Sequence, residues 1–400
     1  MGEWKECKLG EIFDFASGLS KNKSEFGFGY NFLSFKDVFN NYFLPYNLTQ
    51  LANTTGQERN RCSIRRGDIF LTRTSETQEE LGMSSVALKD YPNATFNGFT
   101  KRLRPINLSL VLPEYAGFYF RSPRFRAVVT SMSSITTRAS LNNGMLSDLP
   151  IIIPPMETQK AIASVLSSLD DKIDLLHRQN KTLDAMAETL FRQWFVEEAK
   201  EDWEEDSLLE VILLIGGGTP KTAIAEYWDG DIPWLAGGDI ASNHKSFINH
   251  SEKSITDVGL KNSSAKLLPK YATVISARGT VGKYCLLAQP VAFSQSNYGI
   301  LPNPKIPECF FFTYLLVNHV VEELQSSAYG SVFDTITTTT FKEIKVPLPT
   351  ETEILRFDQL VSPYFKKMFL NKSQILTLEK LRETLLPKLM SGEVRVEYEN

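Results

Sequence analysis

Two stretches of the chain place apolar side chains at alternating steps of four and three residues. The first runs Ile162, Leu166, Leu169, Ile173, Leu176, Leu183, Leu190 and Trp194, with Asn180 and Ala187 filling the gaps. That spacing keeps one stripe of an α-helix against a partner and predicts a coiled-coil seam of more than four heptads. The same phase returns 195 residues later as Phe357, Val361, Tyr364, Met368, Asn371, Ile375, Leu378, Arg382, Leu385 and Leu389. Antiparallel packing with full overlap pairs Ile162 with Leu389 and Trp194 with Phe357. In that register Asn180 faces Asn371, small Ala187 faces large Tyr364, and Arg382 faces Leu169, its head reaching out to water. A polar seam residue lowers stability but fixes register, so Asn180 and Asn371 are the expected lock of the rod. Its length from Ile162 to Trp194 would be roughly 50 Å at about 1.5 Å per residue. Pro363 predicts a break that weakens the Phe357 and Val361 layers, unless Ser362 caps a fresh helix there. Pro387 predicts a kink or an end, with Ser391-Gly392 as the stop.

Each helical stretch follows a mixed segment of short aromatic and β-branched runs punctuated by Gly, Pro, Asn and Asp, such as Ile69 to Thr72 and Thr273 to Ser276. The segments repeat one another: Trp4, Leu9 and Glu11 recur as Trp203, Leu208 and Glu210, and Phe32-Leu33 as Trp234-Leu235. Phe96 and Pro105 match Phe293 and Pro302, and Leu149 to Pro154 matches Ile344 to Pro349. One duplication of half the chain follows. The predicted fold is α+β: two pseudo-symmetric α+β domains separated by an antiparallel coiled coil of two long helices. The expected boundaries are 1–150 for the first domain, 151–202 for the first helix, 203–345 for the second domain and 346–400 for the second helix and tail.

Charge adds a second pattern. The whole chain carries 43 basic and 47 acidic residues, net −4. Yet Arg59 to Arg138 holds 13 basic against 6 acidic residues, and His244 to Lys305 holds 8 against 2. Two separated basic blocks suit a polyanion touched at two places. Ile151 to Trp203, with 6 basic and 10 acidic residues, offers acidic faces such as Asp170-Asp171 and Glu197-Glu198 to protein partners. No apolar run approaches the roughly 20 residues that cross a bilayer, so no membrane partner is expected. The start is charged and unlike a signal peptide, and four unpaired cysteines fit a reduced, cytoplasmic setting.

Catalytic motifs are missing. Gly216 to Thr222 and Gly279 to Tyr284 resemble phosphate loops but lack a required glycine, and Tyr284 replaces the magnesium-binding Ser or Thr. His177, His244, His250 and His319 have no metal-ligand spacing. No catalytic residue, metal site or cofactor is therefore assigned to this chain. A self-contained DNA methyltransferase or nuclease, and a coiled-coil adaptor without nucleic acid, are the alternatives that these absences and the basic blocks disfavour.

Several motifs follow one another along the second half of the chain: Gly217-Gly218-Thr219-Pro220, Tyr227-Trp228 with Gly230-Asp231-Ile232-Pro233-Trp234, Gly238-Asp239-Ile240, Pro349-x-Glu351-x-Glu353, and Leu385 to Gly392. Together with the two-fold plan they resemble the specificity subunit of type I restriction-modification enzymes, over the whole chain. In the first half Gly18-Leu19-Ser20-Lys21 stands in the place of Gly218-Thr219-Pro220-Lys221. The resemblance implies a non-catalytic subunit whose two target recognition domains each read half of a split, asymmetric sequence in double-stranded DNA. It also implies that the helices dock two modification subunits carrying S-adenosylmethionine, with restriction and translocase subunits adding ATP and Mg2+ chemistry.

Basic side chains neutralise phosphates, whereas Arg, Asn, Gln, Ser and Thr read base edges. The candidate DNA contacts are Lys21, Arg73, Lys101, Arg102, Arg104 and Arg138 in the first half, and Lys221, Arg278, Lys283, Gln295 and Asn297 in the second. Arg73 and Arg278 are foremost, because aligning Ile69 to Arg73 with Val274 to Arg278 gives them equivalent places after a strand.

Overall fold

The computed structural model describes residues 4–75, 80–132, 139–329 and 334–396. It forms two compact units, Met1–Ile173 with Thr377–Asn400, and Asp174–Leu376. Each unit thus contains one mixed segment and a share of both long helices.

In the first unit Phe13–Ser17, Thr100–Pro105, Ile69–Thr72 and Ser84–Val86 make an antiparallel sheet in that order. A smaller sheet joins Gln50–Ala52, Phe26–Leu33 and Thr95–Phe96, the last pair parallel. Helices Pro113–Tyr119 and Pro123–Met132 supply Tyr115, Phe118 and Phe125, and the C-cap of the first supplies Phe120, all buried with Phe13 and Leu103 in one core. The second unit repeats the plan with Ile212–Gly216, Asn297–Pro302, Thr273–Ser276, Tyr284–Leu287 and Phe247–Ile248 in its larger sheet. Lys253–Ile255, Trp228–Leu235, Val291–Phe293 and Leu267–Leu268 form its smaller one. The apolar helix Phe310–Tyr329 packs into the second core.

Strand register shows the duplication at the level of single residues. Phe13 opposes Pro105 as Ile212 opposes Pro302, and Phe32 opposes Thr95 as Trp234 opposes Ala292. The same register corrects two alignments. Thr72 opposes Thr100 and Ser276 opposes Asn297, so the counterpart of Arg73 is Ala277, not Arg278. Likewise Leu19 N–H donates to the Phe96 carbonyl (2.8 Å) as Gly218 N–H does to Phe293 (3.0 Å), so Gly18 matches Gly217. Both errors are one-residue slips. Ile69–Thr72 and Thr273–Ser276 are buried on both faces, and a continuous apolar run carries no alternation by which register could be read.

The two long helices are α1 (Met156–Arg192) and α2 (Glu351–Ser391). Within the second unit Trp194, in the π-helical turn Gln193–Glu197 that ends α1, lies 5.6 Å from the Phe357 ring, and Asn180 meets Asn371. Within the first, Ile162 and Leu166 share a core with Leu386 and Leu389, while Arg382 donates to Asp170 at 2.6 Å. The helices therefore run antiparallel in both units. Contrary to the expected break, α2 passes through Pro363 with Phe357 and Val361 fully buried. Pro363 and Gln359 are both exposed, so the carbonyl that loses its helical partner faces water, and the buried stripe outweighs the local penalty. Gly392 ends the helix with φ 77°.

Asn371 is fully buried; its Nδ2 donates to Asn180 Oδ1 (2.8 Å) and Gln179 Oε1 (3.4 Å), while its Oδ1 has no protein partner. Asn180→Ala should cost about 1–3 kcal/mol in urea unfolding by stranding that amide, whereas leucine at both positions should cost nothing or stabilise. Equal destabilisation by both variants would show that the amide pair is not what holds this layer.

Asp358 on α2 accepts the Phe311 and Phe312 N–H groups (2.9 and 2.8 Å) at the start of Phe310–Tyr329. Burial pushes its carboxyl up to about 6, although those two donors and Lys366 pull it down. The folded chain then holds a proton that the unfolded chain releases near pH 4. This group's contribution is full below that pH and is lost as pH rises through about 6. Asp358→Asn keeps the accepting Oδ1 and removes the charge, so its unfolding midpoint should change less between pH 5 and 7 than that of the wild type.

Candidate nucleic-acid interface

In the second unit the link from Ser276 to Tyr284 is a tight loop at one end of the larger sheet. Gly279 and Gly282, at φ 77° and 76°, take the left-handed turns there. Ser276 Oγ bonds the Thr280 carbonyl, and Thr280 Oγ1 donates to the Gly237 carbonyl at 3.3 Å, which fixes the loop against the neighbouring helix Gly237–Ser242. Ala277 N–H donates to the Ser296 carbonyl (2.9 Å), drawing the loop beside the turn that carries Gln295. Arg278 and Gln295 are both exposed and have no side-chain partner among the described residues. A guanidinium fork and a primary amide thus stand on adjacent, braced connections, the two groups that read guanine and adenine edges in pairs of hydrogen bonds.

Lys283 is half-buried at the end of the loop, and its charge, after burial, holds the His244 imidazole below its ordinary range. Lys221 is exposed on the segment after Ile212–Gly216, and its carbonyl accepts Trp228 Nε1 (3.3 Å). Asn297, in contrast, is buried: its Nδ2 donates to Ser294 Oγ at 2.8 Å, and its Oδ1 has no partner in the protein. It braces the Gln295 turn from beneath.

The first unit treats its candidates differently. Arg73 leaves Ile69–Thr72 with its N–H on the Phe99 carbonyl (2.9 Å) and its side chain unpaired among the described residues. It matches the second unit's loop in place, and Phe99 on the adjoining turn is 59% exposed. Lys101 is buried, its Nζ donating to Ser17 Oγ and Asn143 Oδ1 (both 2.7 Å), and burial followed by Arg73 lowers its pKa. Arg102 is buried and donates to the Ser63 carbonyl at 2.6 Å. Arg104 grips Asp68 with Nε (2.7 Å) and Nη2 (2.6 Å). Lys21 is held between Glu25 (3.1 Å) and Glu58 (2.9 Å). Arg138 lies outside the described residues.

The two basic blocks are therefore unlike. Beyond Lys101, Arg102 and Arg104, the first block turns Arg121 and Arg126 inward. Arg121 donates to the Val38, Phe39, Asn41 and Ser84 carbonyls, and burial brings its pKa down to about 10. Arg126 reaches the Leu81 carbonyl. Five of the block's 13 cations hold the fold rather than face solvent. Sequence reading missed this, and it missed Asp68 and Phe99; the Asp68-Arg104 pair has no local signature. Among the described residues no three His, Cys, Asp or Glu side chains are placed to hold a metal ion. Cys285 and Cys309 are buried thiols whose pKa burial raises, Cys309 to about 12. No helix is long and apolar enough to cross a membrane among the described residues.

A family model described as the type I restriction modification DNA specificity domain matches residues 1–185 and again residues 200–380. The MjaIX type I restriction enzyme specificity subunit of Methanocaldococcus jannaschii is 25% identical over 420 residues, covering 99% of this chain and 94% of that one. The HindI specificity subunit of Haemophilus influenzae is 24% identical over 477 residues, covering 98% and 100%. In fold, the chain is similar to the crystal structure of the type I restriction-modification system S subunit from M. genitalium, with a TM-score of 0.63, 15% identity and coverage of 97% and 96%.

Proposed function

This chain belongs to the type I restriction-modification DNA specificity family, and on that premise we propose that its two recognition domains each read one half of a bipartite, asymmetric sequence in double-stranded DNA. The observation that supports this reading is that the equivalent sheet ends after Ile69–Thr72 and Thr273–Ser276 carry Arg73 in one domain and exposed Arg278 and Gln295 in the other, their side chains without partners among the described residues. Lys221 and Lys283, as point charges on neighbouring segments, suit phosphates. The chain itself is a non-catalytic recognition subunit. Asp170 is taken up by Arg382, but Asp171 on α1 and Glu197-Glu198 at its end are exposed and suit protein partners; two modification subunits and the restriction and translocase subunits are the assembly that this reading implies. S-adenosylmethionine, ATP and Mg2+ would be bound on those partners.

The test begins with the chain co-expressed with its modification partner in a host free of other adenine methylation, where sequencing of modified bases gives the target. Duplexes substituted in either half of that target should each lose affinity for the complex. A single continuous motif, or binding indifferent to both halves, would refute the reading.

A further inference from the structure

We infer that Phe28 is a wedge that the first recognition domain presses into the bases of its half-site, and that the second domain has no such device. The inference rests on the DNA-recognition reading above and adds a distortion to it. In Phe26–Leu33, Phe26 and Tyr30 both oppose Ala52, so Gly27, Phe28 and Gly29 form an excursion from the strand. Both glycines have φ 95°, a backbone that side chains with a Cβ rarely adopt, and a Cβ on Gly29 would sit 2.6 Å from the Ala52 carbonyl oxygen. Two such glycines cost chain entropy on folding. What they deliver is a Phe28 ring that is 52% exposed and stacks on no other ring among the described residues.

Bulges re-aim side chains at functional edges, and apolar side chains driven between base steps kink a duplex. The surroundings suit a polyanion. Tyr30, 42% exposed, carries the Arg59 guanidinium 3.8 Å above its ring. Residues 21–30 and 53–61 hold four basic and two acidic side chains, and Lys21 already pairs with both acids.

The second domain contains the same bulge with opposite chemistry. Trp228 and Ile232 both oppose Ile255, and the excursion is Asp229-Gly230-Asp231, both aspartates exposed. The matching residues 220–232 and 256–262 hold four acidic side chains and two basic. Two carboxylates at the tip repel phosphates, so this bulge stays off the DNA. A lone exposed aromatic ring is ordinary on a protein surface. One held out by paired left-handed glycines, where the duplicated domain holds out acid, is a built feature.

The experiment uses the complex of the full chain with its modification subunit and duplexes of the methylation-defined target carrying 2-aminopurine in one half-site or the other. The wild type should raise 2-aminopurine fluorescence in the first half-site only. Phe28→Ser should abolish that rise and weaken binding roughly ten-fold, whereas Phe28→Leu, still apolar, should keep most of both. Circular dichroism melting of Phe28→Ser should match the wild type, because the ring is outside the core. Wild-type affinity and fluorescence in Phe28→Ser, or an equal rise in both half-sites, would overturn the wedge while leaving DNA recognition intact. Absence of sequence-specific binding by the wild-type complex would overturn the recognition reading and the wedge with it.

Discussion

Replacing Asp68 with alanine is expected to destabilise the first unit by roughly 3–5 kcal/mol. The Asp68 side chain is 1% exposed, against 22% for Arg104. Its Oδ1 accepts Arg104 Nε at 2.7 Å, and its Oδ2 accepts Arg104 Nη2 at 2.6 Å and the Arg65 N–H at 2.7 Å. Removing the carboxylate leaves a largely buried guanidinium with only the Ser63 oxygens, and an N–H group at the turn before Ile69–Thr72 without its acceptor. A buried charge left alone costs more than the pair contributed. Urea unfolding of the chain measures it. A change below about 1 kcal/mol, the worth of an exposed pair, would mean that Arg104 finds water and that the pair is not a structural clasp.

Arg278→Ala should act on binding and not on folding. The residue is exposed and has no side-chain partner among the described residues, so its loss removes nothing from the core. If the guanidinium makes two bonds to one base, specific affinity should fall by about 1–3 kcal/mol, and preference should relax at a single base pair of the second half-site. Affinity measured against duplexes varied one position at a time separates this from a phosphate contact, which weakens all sequences alike. Undiminished affinity and undiminished selectivity together would remove Arg278 from the interface.

Much of the architecture was legible because it rests on periodicity. The alternation from Ile162 to Trp194 and from Phe357 to Leu389 states both the helices and their mutual register, and Asn371 lies 2.8 Å from Asn180 as that register requires. What failed was local. Pro363 carries a penalty that reads as a break, but Phe357, Val361 and Phe365 are fully buried around it, and tertiary burial overrides propensity. The interface was less legible than the fold because charge counting has no direction. Lys101 and Arg102 lie on a strand whose residues are buried on both faces, so their cations meet Ser17, Asn143 and the Ser63 carbonyl instead of phosphate. Arg278 is exposed because it stands on a loop, which its neighbour Gly279 does signal. The Gly27-Phe28-Gly29 bulge carried a readable signature, two glycines around an aromatic residue within a strand pattern.

The central claim is that each duplicated domain reads its own half of one target. Exchanging residues 203–345 for the second recognition domain of a relative with a different target, then sequencing the methylated adenines of the host, tests it most directly. The first half of the methylated sequence should be retained and the second half replaced by the donor's. A motif altered in both halves, or one inherited whole from either parent, would contradict the account.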